Sequence, residues 1–302
     1  MPYDFIGAGG LAYDLVLSVD RLPLADEKYS AELIGKLPGG FIANATCAAA
    51  RLGLKTAFLG WVGDDSEGEM LRANFFEWNV NPVGLVSVKG EHTPFTVVIT
   101  DHYGKRAIVL PASSLYDILF SYEQLQIAAE ARVVYTFPRD QAWCSQLRTA
   151  TLDSGGLLAL DVESSAPMTG DELRDVIRMA DVVFITEPGL RKMGLRSIRD
   201  LVEPRQWVIL TAGSKGAYGL EYGQRKPLHQ PALPVPVVDS TGAGDCFHAA
   251  LLAARLNGAN LVESMRFANA AAALKVQQRG ARGGLPTRAE VEGLIQANRY
   301  RR

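Results

Sequence analysis

Histidine and cysteine are scarce in this chain of 302 residues, with four of the first and three of the second. Cys47, Cys144 and Cys246 are odd in number and show no metal-type spacing. That excludes a disulfide framework and a cysteine-based zinc site, and it fits a reducing compartment. No apolar run approaches the roughly 18 residues that a membrane span requires. The opening MPYDFIGAGG lacks a basic stretch followed by an apolar core, so neither a signal peptide nor a membrane partner is expected, and a cytoplasmic protein is. An excess of one charge is also lacking: 31 Lys and Arg stand against 33 Asp and Glu, a net charge of -2, which leaves no electrostatic footprint for nucleic acid. The closing Arg299, Arg301 and Arg302 read as a solvated end. What is there, 48% hydrophobic and 21% charged residues, is an ordinary globular composition. The length allows one large α/β domain with an appended subdomain.

From about Thr56 onward, short apolar runs alternate with helical stretches. TAFLGWV precedes a predicted helix near Asp65 to Trp78, VVYTF one near Gln141 to Ser154, and LLALDV one near Asp171 to Met179. VVFIT and WVILT continue the series. Such βα alternation predicts a parallel sheet covered by helices. Residues Tyr13 to Leu37 and Phe95 to Leu110 break the pattern with extended runs, and FTVVITDHYGKRAIVL has a hairpin's form with Tyr103-Gly104 near its turn. These segments, about 13–38 and 94–111, are expected to pair as a small antiparallel sheet that acts as a lid. The last third reads as successive helices, one bounded by Asn260 and one opened by Pro286-Thr287.

Chemistry concentrates in VVDSTGAGDCFHAALLAARLNG. A strand is expected to lead into the glycine turn Gly242-Ala243-Gly244, which opens an amphipathic helix with Asp245 in its first turn. Free N–H groups and the positive end of the helix dipole then converge on one point, a natural anion site. In LPGGFIANATCAAARLGL, Gly39-Gly40 precede an alanine-rich helix with Asn44 in its first turns, and Gly60, Gly63-Asp64-Asp65 and Gly68 follow. LTAGSKGAYGL sets Thr211, Gly213 and Gly216 after a strand. IGAGGLA matches G-x-G-x-x-A weakly, but the β-rich YDLVLSVDRLP follows where a dinucleotide fingerprint needs a helix, so nicotinamide binding is excluded. Phe41, with Tyr13 and Trp61, offers aromatic surface to a ring, Trp61 being the better candidate for core packing. Arg139 is a candidate for a substrate carboxylate or phosphate. Cys246 and His248 read as helix packing or pocket lining.

Asp239-Ser240-Thr241-Gly242-Ala243-Gly244-Asp245 closely resembles the D-T-x-G-A-G-D signature of the ribokinase-like (phosphofructokinase B, PfkB) carbohydrate kinases. The GGFIAN…ARLG…GWVGDDSEG string resembles the family's other signature. The resemblance runs from Asp14 to Pro286. It implies a three-layer α/β/α sandwich with a mostly parallel central sheet and a small β lid, as one domain over 1–302. It also implies ATP-dependent phosphorylation of a primary hydroxyl on a neutral sugar, sugar acid or nucleoside. By the same resemblance Asp245 is the base, assisted by the N–H groups of Gly242, Ala243 and Gly244. Asp14, Gly39, Gly40 and Asn44 then contact sugar, and Thr211, Gly213, Gly216 and Asn269 contact nucleotide. Mg2+ rides on the phosphates, and a monovalent cation, K+, sits near Asp239 and Thr241. The family's N-x-x-E element here reads Thr186-Glu187-Pro188-Gly189, which keeps open the alternative of a non-catalytic sugar- or nucleotide-binding sensor. Pairing of two lids predicts a homodimer.

Overall fold

The runs poorest in polar residues become the middle of a sheet buried on both faces. A computed structural model describes residues 1–103 and 105–299; Gly104 of the expected hairpin turn, Arg301 and Arg302 lie outside the described residues. In chain order the strands are β1 (Tyr3–Ala8), β2 (Tyr13–Val19), β3 (Glu32–Pro38), β4 (Thr56–Gly63), β5 (Val80–Val88), β6 (Phe95–Asp101), β7 (Arg106–Val109), β8 (Ala131–Thr136), β9 (Leu157–Val162), β10 (Val182–Thr186), β11 (Trp207–Thr211), β12 (Ala217–Glu221) and β13 (Leu228–Gln230). The helices are α1 (Phe41–Arg51), α2 (Ser66–Glu77), α3 (Tyr122–Ala129), α4 (Gln141–Ser154), α5 (Gly170–Ile177), α6 (Glu187–Lys192), α7 (Ala243–Leu256), α8 (Leu261–Lys275) and α9 (Arg288–Arg299).

Nine strands form the main sheet in the order β13-β12-β11-β10-β9-β8-β1-β4-β5, parallel except at β12 and β13. Successive side chains point to opposite faces. Phe5, Phe58, Val133 and Phe184 pack under α1, α2, α7 and α8. Their neighbours Ile6, Leu59, Val134 and Ile185 pack against α4 and α5 on the other side. This is the expected three-layer sandwich. Helix starts follow local chemistry: the Asp65 and Asp140 carboxylates accept from Gly68 and Trp143, and Asn260 with Glu263 forms a reciprocal cap. Helix α3 was not expected from the sequence, although Ser121 and Gln124 form the same reciprocal cap at its start.

The second sheet, β3-β2-β6-β7, is a small separate one formed by the segments expected to make the lid, and it is mixed rather than antiparallel. β2 pairs with β6 in parallel, Tyr13 opposite Phe95 through Val19 opposite Asp101, while β3 and β7 flank them antiparallel. The reason is tertiary. β1 and β5 both run in the main sheet's parallel direction, so the segments that continue from them rise from the same edge the same way. A second correction concerns the strand expected before the glycine turn. Residues 231–242 form none; prolines 231, 234 and 236 remove ladder donors, and Val238 and Asp239 donate instead to the Val276 carbonyl at 2.8 and 3.1 Å.

Candidate active site

From β1 the chain builds the sheet outward through β4 to β5, and from β8 outward through β9, β10 and β11. Connections therefore diverge between β1 and β8, and the crevice outside the strands' carboxyl ends at such a point is where α/β folds bind ligands. The glycines after β1 serve this crevice by close packing. A Cβ on Gly10 would stand 2.8 Å from the Tyr116 ring, and one on Gly9 3.0 Å from Ile42. Facing them, Gly40 caps α1 with φ 90°, and a Cβ on Gly39 would lie 2.9 Å from Asp14 Oδ2. Asp14, carried by β2 and bonded at Oδ1 by the Thr96 hydroxyl, thus stands against the Gly39-Gly40 backbone. Phe41 lies beside it, edge-on to Phe137 at 5.3 Å.

Asp245 sits in the first turn of α7, whose N-cap Gly242 is left-handed at φ 76°. Asn44 Nδ2 donates to Asp245 Oδ2 at 3.0 Å. The orientation of that amide is forced, because Arg282, which has only donors, gives Nε–H to Asn44 Oδ1 at 3.0 Å. Arg282 also donates to the Gly39 carbonyl at 3.2 Å and to Asn74. Asn44, expected to meet sugar, thus stands with its amide between the Arg282 guanidinium and the Asp245 carboxylate. Burial pushes Asp245 up to about 7. The Asn44 bond pulls it down, Asp161 and Glu163 push it up, and His248 pulls it down. Behind it lies a buried cluster: Tyr135 Oη donates to Asp161 Oδ2 at 2.7 Å and lies 2.8 Å from His248 Nδ1, with Phe184 stacked on the imidazole at 4.1 Å.

The N-terminal N–H groups of a helix have no partner inside it. Among the described residues nothing engages the N–H of Gly244 or of Asp245, whereas Ala243 N–H donates to Ser240 O at 3.1 Å. Ala243 is thus removed from the expected anion-binding donors. Asp239 staples the turn: Oδ1 accepts from Thr241 N at 2.9 Å and Thr241 Oγ at 2.7 Å, Oδ2 from Gly280 N at 2.8 Å, and the main-chain oxygen from Lys275 Nζ at 3.2 Å. From the lid, Arg106 Nη1 reaches Thr241 Oγ at 3.0 Å.

A cavity of about 730 Å³ opens beside Gly244. Ala243, Gly244, Thr211, Gly213, Gly216 and Asn269, read from separate stretches of sequence, all line it. The alanines of α8 leave one wall low, and Gly216, at φ 92°, has no room for a Cβ against the Gln230 carbonyl. Asn269 holds that wall, its Nδ2 donating to Gln230 O at 2.9 Å and Pro231 O at 3.1 Å. Thr186 lines the cavity too, at the asparagine position of the altered N-x-x-E. Glu187 turns to Lys215, 3.9 Å away, and Gly189 stands where the glutamate would be.

Arg139 is a correction. Its guanidinium donates to the carbonyls of Tyr116 and Ile118, pairs with Asp140 at 2.7 Å and covers Trp143, so its donors fix the 116–118 segment and are not offered to a ligand. Trp61 packs with Phe120 and Trp143 in the core, as the sequence suggested. Sequence reasoning missed Arg282, Arg106 and Lys275. Only the position of Arg282 within the 280–286 loop hinted at a pocket role.

A model of the pfkB family carbohydrate kinases matches residues 6–288. The chain is 30% identical to fructokinase-1 of Zea mays, covering 96% of this chain and 97% of that one. It is 29% identical to the ribokinase of Bacillus subtilis (strain 168), at 95% and 97% coverage. Among solved structures, the Arabidopsis thaliana ribokinase complexed with ribose and ATP is similar with a TM-score of 0.84 at 27% identity, covering 98% and 99% of the two chains. A putative ribokinase from Agrobacterium tumefaciens shares the fold at 0.87, 24% identity and full coverage of both chains. The site at the junction of lid, α1 and α7, and the match over nearly the whole length, lead to one conclusion: this chain belongs to the pfkB family of carbohydrate kinases.

Proposed function

We propose that the chain transfers the γ-phosphoryl group of ATP to a primary hydroxyl of a small sugar or sugar-like acceptor, with Asp245 as general base. One observation carries this reading: a carboxylate held by the Asn44 amide stands in the first turn of α7, beside the unpartnered N–H of Gly244, which itself lines the large cavity, and burial pushes that carboxylate up to about 7. A base near the ambient pH balances deprotonation against driving force for proton transfer. The acceptor lies between Asp14, the Gly39-Gly40 backbone and Phe41, its hydroxyl toward Asp245 Oδ. Asn44 and Arg282 hold that carboxylate in one rotamer, and positioning of this kind supplies much of the rate in phosphoryl transfer. The N–H groups of Gly244 and Asp245 meet charge on the moving group.

The cavity fits a nucleotide in size and in its small-residue lining, with its phosphate end at Gly244. Among the described residues no cluster of three acidic, His or Cys side chains forms a metal cage. Magnesium would therefore be held by the phosphates and neutralise them, with Thr186 as a neighbouring polar group.

Arg106 adds a lid cation 3.0 Å from Thr241. Arg106→Ala is expected to raise the KM for the acceptor and lower kcat, with kcat/KM down roughly 10- to 100-fold, as loss of a charge-assisted contact implies. Unchanged steady-state constants would remove Arg106 from the site. A homodimer through the lids is supported by the exposed Leu33, Ile34, Ile108, Val109 and Leu110. Light scattering should then give twice the chain's 32.7 kDa.

The test of function is ADP release from MgATP over a panel of pentoses, hexoses, sugar acids and nucleosides. Turnover with one acceptor supports the kinase. Binding of sugar or ATP without turnover for any of them supports the sensor, with Thr186 and Gly189 in the altered N-x-x-E as its cause.

A further inference from the structure

Lys275, the last residue of α8, is fully buried with 0% exposure. An ammonium group is costly to bury unless it is partnered. Its partner is the main-chain oxygen of Asp239, 3.2 Å from Nζ, and the carboxylates of Asp239 and Asp245 and the Cys246 thiol lie within its field. The next residue, Val276, accepts the N–H groups of Val238 and Asp239. The end of α8, its lysine and the segment entering the anion turn are therefore one hydrogen-bonded unit, and the carbonyl-rich helix end favours a cation there.

This is the neighbourhood in which the family resemblance implies a monovalent metal ion, and the residues present do not fit one. The oxygens of Asp239 already accept from Thr241 N, Thr241 Oγ, Gly280 N and Lys275 Nζ, and a metal cation beside them would meet the ammonium's like charge. We propose that the Lys275 ammonium is a tethered internal cation that positions the Asp239–Asp245 turn, so that phosphoryl transfer by this chain needs no potassium or other alkali metal ion. This rests on the kinase reading above. Lys275 touches neither acceptor nor phosphate and acts through the turn; it is a positioning residue. Burial holds its pKa below the usual lysine range, against the pull of Asp239, Cys246 and Asp245.

The experiment compares turnover in tetramethylammonium buffer, free of alkali metals, with the same buffer plus KCl, NaCl or NH4Cl. The wild-type chain should change by less than about twofold, whereas Lys275→Ala, which opens space for an ion, should lose roughly tenfold or more and regain much of it with K+ or NH4+. Stimulation of the wild type by tenfold with K+ would overturn the proposal. So would Lys275→Ala that is fully active without added cation, or impaired and unrescued by any. If Lys275→Ala is too unstable to assay for turnover, its unfolding midpoint and that of Lys275→Ser, which leaves similar space, are read in each salt: a rise selective for K+ or NH4+ supports the proposal, and equal midpoints overturn it. If the wild type turns over no acceptor at all, the kinase reading fails, and the midpoint arm still reads the cation site separately.

Discussion

Asp245→Asn is expected to lower kcat by about 10²- to 10⁴-fold with little change in the KM for ATP, since it removes the proton acceptor and leaves the anion turn in place. In the unaltered chain, kcat/KM should fall as pH drops below about 7, the value to which burial lifts this carboxylate. The same substitution should raise stability. The folded-state pKa lies above the ordinary 3.8, so between about pH 4 and 7 the folded chain holds a proton that the unfolded chain has lost. The group's contribution therefore declines as pH rises through that window and is lost above it. At pH 8 Asp245→Asn removes a partly buried charge, and its unfolding midpoint should exceed that of the wild type, by about 2 °C or slightly less for each kcal/mol gained in a chain longer than 250 residues. A stability gain with an activity loss is what a group held in a destabilised state for chemistry predicts. If kcat instead falls less than tenfold in calorimetrically intact protein, Asp245 is not the base.

The second large effect comes from the two glycines of the turn, which should fail for different reasons. Gly242 is left-handed at φ 76°, and a Cβ there would press into the Ala281 carbonyl, well inside contact distance. Gly242→Ala should therefore displace the turn from the 279–283 loop, lowering both the unfolding midpoint and kcat, the latter by roughly 10²-fold or more. A Cβ on Gly244 meets nothing within 4 Å; the space it would enter is the cavity itself. Gly244→Val should leave the midpoint unchanged or slightly raised, because the unfolded chain loses more freedom, yet raise the KM for ATP by about tenfold or more. Parallel thermal melts and ATP titrations distinguish the two. Equal losses of stability would show that Gly244 is held by packing and not by a ligand.

Much of the fold was legible because its signals are local. The apolar runs VVYTF, LLALDV and VVFIT name the central strands, and the Asp65, Asp140 and Asn260 caps name helix starts within a residue or two, since each depends on groups three or four positions apart. The same locality misled at PVPVVD. Its apolar alternation looks like a strand, but prolines and the reach of Val276 decide otherwise. It also misled at the lid, where two extended runs suggested simple antiparallel pairing.

By itself the sequence determined the α/β alternation, the glycine turn that opens α7 with Asp245 in its first turn, and the small-residue stretches that leave room for a nucleotide. All of these follow from backbone conformation and side-chain size at adjacent positions. Only the tertiary structure decided that Asn44 turns its amide to Asp245 because Arg282, 238 residues away, claims its oxygen, or that Arg106 of the lid reaches Thr241. It alone decided that Arg139 is engaged by the Tyr116 and Ile118 carbonyls and by Asp140, and that the cation beneath the anion turn is Lys275. The partners in each case are set by which strand ends and helix ends the sheet order brings together, and a charged side chain carries no local signal of the carbonyl or carboxylate it will meet.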